Sequence, residues 1–188
     1  VFRAKLKDEL KDFQGAIDDY TKAIEIDPNN ARYLYLRGKK RYEIEKYQDA
    51  IFDFTKVIEI NPNFSLNPSY NNAYGFRGLA AYQLKDYQNA IDDLNKSIEI
   101  DPPIEIEDLG HPFFRLRGRA KEKLEDYQGA IDDFTKVLEI TDDYFFYEEL
   151  GRLKEKLEDY QGAIDDYTKA IERDPTFASF YYCRGIAK

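Results

Sequence analysis

The sequence predicts an all-α fold: a right-handed α-α superhelical solenoid of about five helical hairpins, with partial repeats at both ends. Two observations predict it. One phrase occurs five times, as DFQGAIDDYTKAIEIDP from Asp12, KYQDAIFDFTKVIEINP from Lys46, DYQNAIDDLNKSIEIDP from Asp86, DYQGAIDDFTKVLEITD from Asp126 and DYQGAIDDYTKAIERDP from Asp159. The starts lie 34, 40, 40 and 33 residues apart. A period near 34 residues marks a stack of supersecondary units, each burying its apolar face only against its neighbours. The second observation is the spacing inside the phrase, where apolar residues recur at intervals of three and four, the period of one helix face.

The recurring phrase is one helix of each hairpin. In the copy over 126–141, Ala130, Ile131, Phe134, Val137, Leu138 and Ile140 form an apolar stripe. Asp126 stands just before it as an N-cap, and Asp132 and Asp133 add negative charge to its early part, where the helix dipole favours it. Pro62, Pro102 and Pro175 follow the equivalent helices and stop them. The other helix of each hairpin falls between the phrases, over 31–45, 72–85, 112–125 and 144–158. Each carries a glycine, at Gly38, Gly78, Gly118 and Gly151. A glycine inside a helix costs about 1 kcal/mol relative to Ala. Its recurrence in register predicts close helix packing, opposite the small residues Ala50, Ala90, Ala130 and Ala163. One domain over 1–188 is expected, with repeats near 1–30, 31–70, 71–110, 111–143 and 144–175 and a partial unit over 176–188. The longer spacings place insertions near 65–70 and 105–110, marked as loops by Pro68 and Gly110.

This organisation resembles the tetratricopeptide repeat family over almost the whole chain. The resemblance rests on the Gly column, the Ala column, the aromatic four residues after that Ala (Tyr20, Phe54, Phe134 and Tyr167, with Leu94 the exception) and the closing Pro28, Pro62, Pro102 and Pro175. Two columns depart from the family pattern. Arg37, Arg77, Arg117 and Arg184 stand where Leu is usual, with Leu150 alone conforming. Arg41, Ala81, Lys121 and Lys154 replace the usual Tyr three residues after the Gly. The first departure has a partner: Asp19, Asp53, Asp93, Asp133 and Asp166 occupy one column in all five phrases. A periodic Arg facing a periodic Asp predicts a ladder of partly buried ion pairs, with Arg3 extending it.

The family resemblance implies a protein-protein interaction scaffold whose first helices line a concave groove. The stripe traced on them runs Arg32, Tyr35, Lys39, Tyr42, Glu43, then Asn72, Gly75, Leu79, Tyr82, Gln83, then Pro112, Arg115, Arg119, Glu122, Lys123, and then Phe145, Glu148, Arg152, Glu155, Lys156. It sums to +3 on a chain whose net charge is −9. Basic groups interleaved with aromatics suit an acidic peptide, so Lys39, Tyr42, Tyr82, Arg115, Arg119 and Arg152 are the expected groove contacts. Arg115 and Arg119 resemble part of the carboxylate clamp of some family members, but Leu79 and Lys39 stand where that clamp has Asn. A regulatory or targeting segment of a larger enzyme and a self-assembling array are the alternative readings.

Several function classes are disfavoured. The acidic balance repels nucleic acid. No apolar run approaches the ~20 residues of a membrane helix. The sequence contains no GxxxxGK[ST], HExxH, GxSxG or CxxC motif, so no enzyme activity, cofactor or metal is expected. Adjacent aspartates on a helix point about 100° apart and form no cage. His111 is the single histidine and is expected to face solvent or cap a helix. Cys183 is the single cysteine, expected as a packed thiol, and one cysteine suits a reducing, cytoplasmic setting. The Asn63-Phe64-Ser65 and Asn95-Lys96-Ser97 triplets match the glycosylation pattern without context to support it. The absence of Met suggests a processed or trimmed piece. The apolar segment over 176–188, with Phe177, Phe180, Tyr181, Tyr182 and Ile186, is expected either to be followed by further repeats or to stack end to end on another copy.

Overall fold

Ten helices make up the described part of the protein. The structure is a computed structural model and describes residues 12–63, 72–100, 112–141 and 143–188. The chain divides into two compact units, Val1–Pro102 and Pro103–Lys188. Unit 1 holds α1 (Phe13–Ile26), α2 (Ala31–Glu43), α3 (Tyr47–Ile60), α4 (Ala73–Gln83) and α5 (Tyr87–Ile100). Unit 2 holds α6 (Pro112–Lys123), α7 (Tyr127–Thr141), α8 (Phe145–Lys156), α9 (Tyr160–Arg173) and α10 (Ala178–Ala187). Within each unit, every helix packs against the next in sequence. The insertions near 65–70 and 105–110, His111 and Arg3 lie outside the described residues.

The expected caps form. The carboxylates of Asp12, Asp126 and Asp159 each accept the backbone N–H three residues on, at 3.0 Å. The closing prolines also act as predicted: α1, α3 and α9 end two residues before Pro28, Pro62 and Pro175. The phrase that lacks the proline gives α7, which runs one residue longer, 15 against 14.

The other helices stop earlier than their pattern suggests. The predicted ends at 45, 85, 125 and 158 are not helical. Glu45, Lys85, Glu125 and Glu158 take positive φ of 62°, 63°, 62° and 61°. At each, two hydrogen bonds close the turn. Lys46 N–H donates to the Arg41 carbonyl at 2.8 Å and Glu45 N–H to the Tyr42 carbonyl at 3.0 Å, and the other three turns repeat the pattern. This is the Schellman arrangement, in which a left-handed residue satisfies the last carbonyls of a helix. It is normally served by Gly, because a side chain costs about 1–2 kcal/mol in that region. Four charged residues there hide the helix end from sequence reading.

The glycine column works somewhat differently from the expectation. A Cβ on Gly38, Gly118 or Gly151 would lie 3.0, 2.7 and 2.6 Å from the rings of Phe54, Phe134 and Tyr167. The glycine therefore seats the aromatic of the facing helix rather than the small Ala. Where Leu94 replaces the ring, a Cβ on Gly78 would lie 3.1 Å from the Leu94 side chain and 3.2 Å from the Ala90 carbonyl oxygen.

The ion-pair ladder is present. Arg37 forks onto Asp53, Nε to Oδ2 at 3.0 Å and Nη2 to Oδ1 at 2.7 Å. Arg77 holds Asp93 the same way at 2.7 and 2.6 Å, and Arg117 holds Asp133 through both nitrogens. The second departure from the family pattern belongs to the same device. Arg41 gives Asp53 a second cation at 2.7 Å, Lys121 does so for Asp133 at 3.0 Å, and Lys154 reaches Asp166 at 2.6 Å where Leu150 interrupts the Arg column. The guanidinium also reaches the preceding helix: Arg37 Nη1 donates to Thr21 Oγ1 at 3.2 Å and Arg77 Nη1 to Thr55 Oγ1 at 3.1 Å. One arginine thus ties three successive helices.

The strained turn yields a prediction. Replacing Glu125 by Gly removes the left-handed penalty and keeps the turn bonds. Urea denaturation should show a gain of about 0.5–1 kcal/mol, after the larger backbone entropy lost by Gly. Glu45→Gly and Glu158→Gly should behave alike.

Candidate functional site

The predicted groove residues belong to the first helices of the hairpins, so their helix phase decides what they meet. In unit 1, Lys39 on α2 sets its ammonium 5.0 Å from the Phe76 ring centroid on α4. Tyr42, one turn further along α2, meets the same ring edge-on at 6.2 Å and Tyr47 at 5.4 Å. Lys39 and Tyr42 are therefore brought together around Phe76. Tyr82 stands apart from them, packed edge-on against Tyr87 at 5.4 Å.

Three residues of the traced stripe point elsewhere. Tyr35 is 0% exposed and packs on Phe54 in the core of unit 1. Asn72 is buried as the N-cap of α4, accepting Gly75 N–H at 2.8 Å and donating to the Ser97 carbonyl at 3.3 Å. Gly75 is also buried. Asn is a frequent cap and Tyr a frequent core residue, so neither is distinguishable from a groove residue by spacing alone. Phe76, beside Gly75, lies just off the traced stripe; its partly buried ring packs against the core and is the one that Lys39 and Tyr42 meet.

In unit 2, Arg115, Arg119 and Arg152 line one cavity of about 350 Å³ with Asp143, Phe145, Phe146, Glu148 and Glu149. Their states differ. Arg152 is bridged between Glu122 and Glu149, at 2.8 Å to each, and those contacts hold its charge in place against partial burial. Arg115 and Arg119 are exposed, one turn apart on α6, and make no ion pair with any described residue. The cavity therefore offers two available guanidinium groups together with two phenyl rings and three carboxylates in its lining.

A second cavity, about 720 Å³, lies in unit 1 where the cation column is interrupted. It is lined by Ala81, Arg77, Thr55, Asp92 and Asp93 among others. Asp93 is 7% exposed and receives one arginine where Asp53 and Asp133 each receive two cations. Burial pushes its carboxyl above the ordinary carboxylate range, and the Arg77 fork offsets this only in part.

Among the described residues, no group of three His, Cys, Asp or Glu side chains could hold a metal. Cys183 is half-buried, with Sγ 4.0 Å from Glu148 Oε1. Burial first, and then Glu148 and Glu155, push its thiol up, the opposite of an activated nucleophile. No described helix is long and apolar enough to cross a membrane.

Models of single tetratricopeptide repeats match residues 72–103, 31–64 and 116–144, and 9–44 and 151–188. The chain belongs to the tetratricopeptide repeat family. Solved structures agree on the fold. MamA is 25% identical over 92% of this chain and 94% of its own, with a TM-score of 0.78. The C-terminal part of a TPR repeat-containing protein from Cytophaga hutchinsonii is 18% identical over 100% and 70%, at 0.77. YrrB, described as a TPR protein with an unusual peptide-binding site, is 19% identical over 89% and 81%, at 0.70. No curated protein matches the sequence. The tetratricopeptide fold is that of a general protein-interaction scaffold.

The interrupted cation column can be tested directly. A folded-state carboxyl raised above its unfolded value contributes stability that is full below the unfolded pKa and lost as pH rises through the folded one. Ionisation of Asp93 therefore costs the fold stability as pH rises to neutrality. Ala81→Lys, which has the adjacent cavity to extend into, should bring the Asp93 titration followed by carboxyl NMR back down. It should also raise stability at pH 7 by about 1 kcal/mol, while leaving stability below the carboxylate range nearly unchanged.

Proposed function

We propose that this tetratricopeptide protein is a non-catalytic scaffold that takes an acidic segment of a partner protein, extended or helical, on the first helices of its hairpins. The observation that carries the reading is the pair Arg115 and Arg119. Both are exposed, both stand in the cavity of about 350 Å³, and neither is neutralised by a described carboxylate. A guanidinium binds a carboxylate through two parallel hydrogen bonds. Phe145 and Phe146 offer apolar contact to the segment between its charges. Arg152, already held by Glu122 and Glu149, contributes a fixed edge of the cavity rather than a free charge. Asp143, Glu148 and Glu149 line the same cavity and disfavour a partner with acidic groups throughout, so the favoured segment alternates acidic and apolar or basic positions.

In unit 1, Lys39, Tyr42 and Tyr82 are proposed as further contacts, Lys39 with Tyr42 beside the partly buried ring of Phe76. A cytoplasmic setting belongs to the same reading and rests on the single cysteine. The test is a peptide array of acidic, neutral and basic sequences probed with the protein and with Arg115→Glu and Arg119→Glu. The acidic hits should weaken by about tenfold or more in each variant. Their affinity should also depend less steeply on salt. Retained affinity in both variants would remove this cavity from the binding surface.

A further inference from the structure

The cavity of about 720 Å³ in unit 1 stands where one repeat lacks a part that its siblings carry. Arg41, Lys121 and Lys154 occupy the position three residues after the glycine of a first helix, and Ala81 occupies it here. Each of the three sets a cationic nitrogen against Oδ2 of the facing aspartate, at 2.7, 3.0 and 2.6 Å. Two of them also donate to the backbone carbonyl four residues before that aspartate, Arg41 to Asp49 at 3.4 Å and Lys121 to Gly129 at 3.2 Å. A carboxylate oxygen and a helix carbonyl thus form one seat for a second cation.

In the Ala81 repeat the seat remains and the cation is gone. Asp93 and Asn89, which carry the corresponding acceptors, line the cavity together with Ala81. Asp93 Oδ2 accepts from Arg77 Nε at 2.7 Å, and among the described residues no second cation reaches it. Arg77 has no nitrogen to spare, since Nη2 donates to Asp93 Oδ1 and Nη1 to Thr55. Burial, and then the charges of Asp92 and Asp86, push the Asp93 carboxyl up against the pull of Arg77. Asp86 and Asp92 line the same cavity, so its charged lining is three carboxylates against one guanidinium. Ile51 and Leu84 add apolar surface. The whole lining comes from α3, α4, α5 and the turn joining the last two, three consecutive helices packed on one another. The vacancy therefore arises where Ala81 stands, inside the array.

We infer that this cavity binds the ammonium end of a primary aliphatic amine, with the nitrogen on Asp93 Oδ2 and the Asn89 carbonyl and the alkyl stem along Ile51 and Leu84. Lys121 and Lys154 show that an ammonium satisfies the equivalent seat in the sibling repeats. The volume lies within the usual range of ligand sites, about 300–1,000 Å³, and exceeds what the nitrogen alone would fill. A divalent metal ion fits poorly, because it needs several oxygen ligands and Arg77 already forks onto the carboxylate. A free amine and a lysine side chain of a partner protein present the same chemistry. The site is separate from the Arg115–Arg119 cavity and does not depend on its role.

The test is an NMR titration of the 188-residue protein with n-butylammonium chloride, with sodium chloride and tetramethylammonium chloride as matched salts. Saturable shifts of the Asp93 carboxyl and of the amides around Ala81 and Asn89 are expected, with a Kd of about 1–10 mM. Neither matched salt should reproduce them, since neither cation donates a hydrogen bond. Asp93→Asn should weaken binding by about tenfold or more. Ala81→Lys should abolish it by placing a tethered ammonium in the seat, and its melting temperature shows that the fold is kept. Lysine blocked at both its α-amine and its carboxyl separates the two sources. Binding as tight as that of n-butylammonium gives the site to a lysine side chain of a partner, and weaker binding gives it to a free amine. The inference is overturned if n-butylammonium shows no saturation by about 100 mM, if tetramethylammonium produces the same shifts, or if folded Ala81→Lys binds the amine like the parent.

Discussion

A carboxylate buried in the middle of each second helix constrains everything around it. Asp53 is 0% exposed and Asp133 nearly so. A charge in such a place is tolerable only if cations meet it with good geometry. The first helix supplies them from two positions one turn apart, so its phase and its distance from the second helix are both specified. Because the arginine also donates to a threonine of the preceding helix, the same group sets the spacing between hairpins. Two substitutions in the family pattern, Leu to Arg and Tyr to a second cation, are one device.

The variation within the chain supports that reading. Where Leu150 removes the arginine, Lys154 still reaches Asp166, joined by Lys169 at 3.4 Å. Where Ala81 removes the second cation, Arg77 still forks onto Asp93, but a cavity opens beside it and the carboxyl is pushed upward. Every described aspartate of the column from Asp53 to Asp166 keeps at least one cation. Apolar packing completes the contact: the rings of Phe54, Phe134 and Tyr167 sit on Gly38, Gly118 and Gly151 of the first helices, within the distance a Cβ would need, and Leu94 takes that place against Gly78.

Much of this was legible in the sequence because repetition supplies its own alignment. Five copies expose the Asp, Arg and Gly columns, and spacing alone places Arg117 opposite Asp133. What repetition cannot expose is direction within a column that mixes roles. Tyr35 is fully buried in the core, whereas Tyr42 on the same helix packs only at the edge of that core, beside the Phe76 ring that Lys39 also meets. The role of the second cation column was also hidden, since Arg41, Lys121 and Lys154 look like surface charges until Asp53, Asp133 and Asp166 are seen beneath them. Helix ends were misplaced by two residues because Glu45, Lys85, Glu125 and Glu158 adopt a left-handed conformation usually signalled by Gly. At the candidate site, Arg115, Arg119 and Arg152 line one cavity, but the two glutamates that neutralise Arg152 separate it from the other two in kind.

The central claim is that the buried Arg–Asp pair, rather than apolar packing alone, couples the two helices of a hairpin. The pair Arg77–Asp93 tests it most directly, because no second cation shares that carboxylate. A double-mutant cycle with Arg77→Leu and Asp93→Leu, read by urea denaturation, isolates the coupling. Each single change should cost about 2–4 kcal/mol by stranding a buried charge, and the double variant should recover at least about 2 kcal/mol of the sum. Single costs that simply add would show that the two charges do not depend on each other, and the ladder would not be what holds the hairpins together.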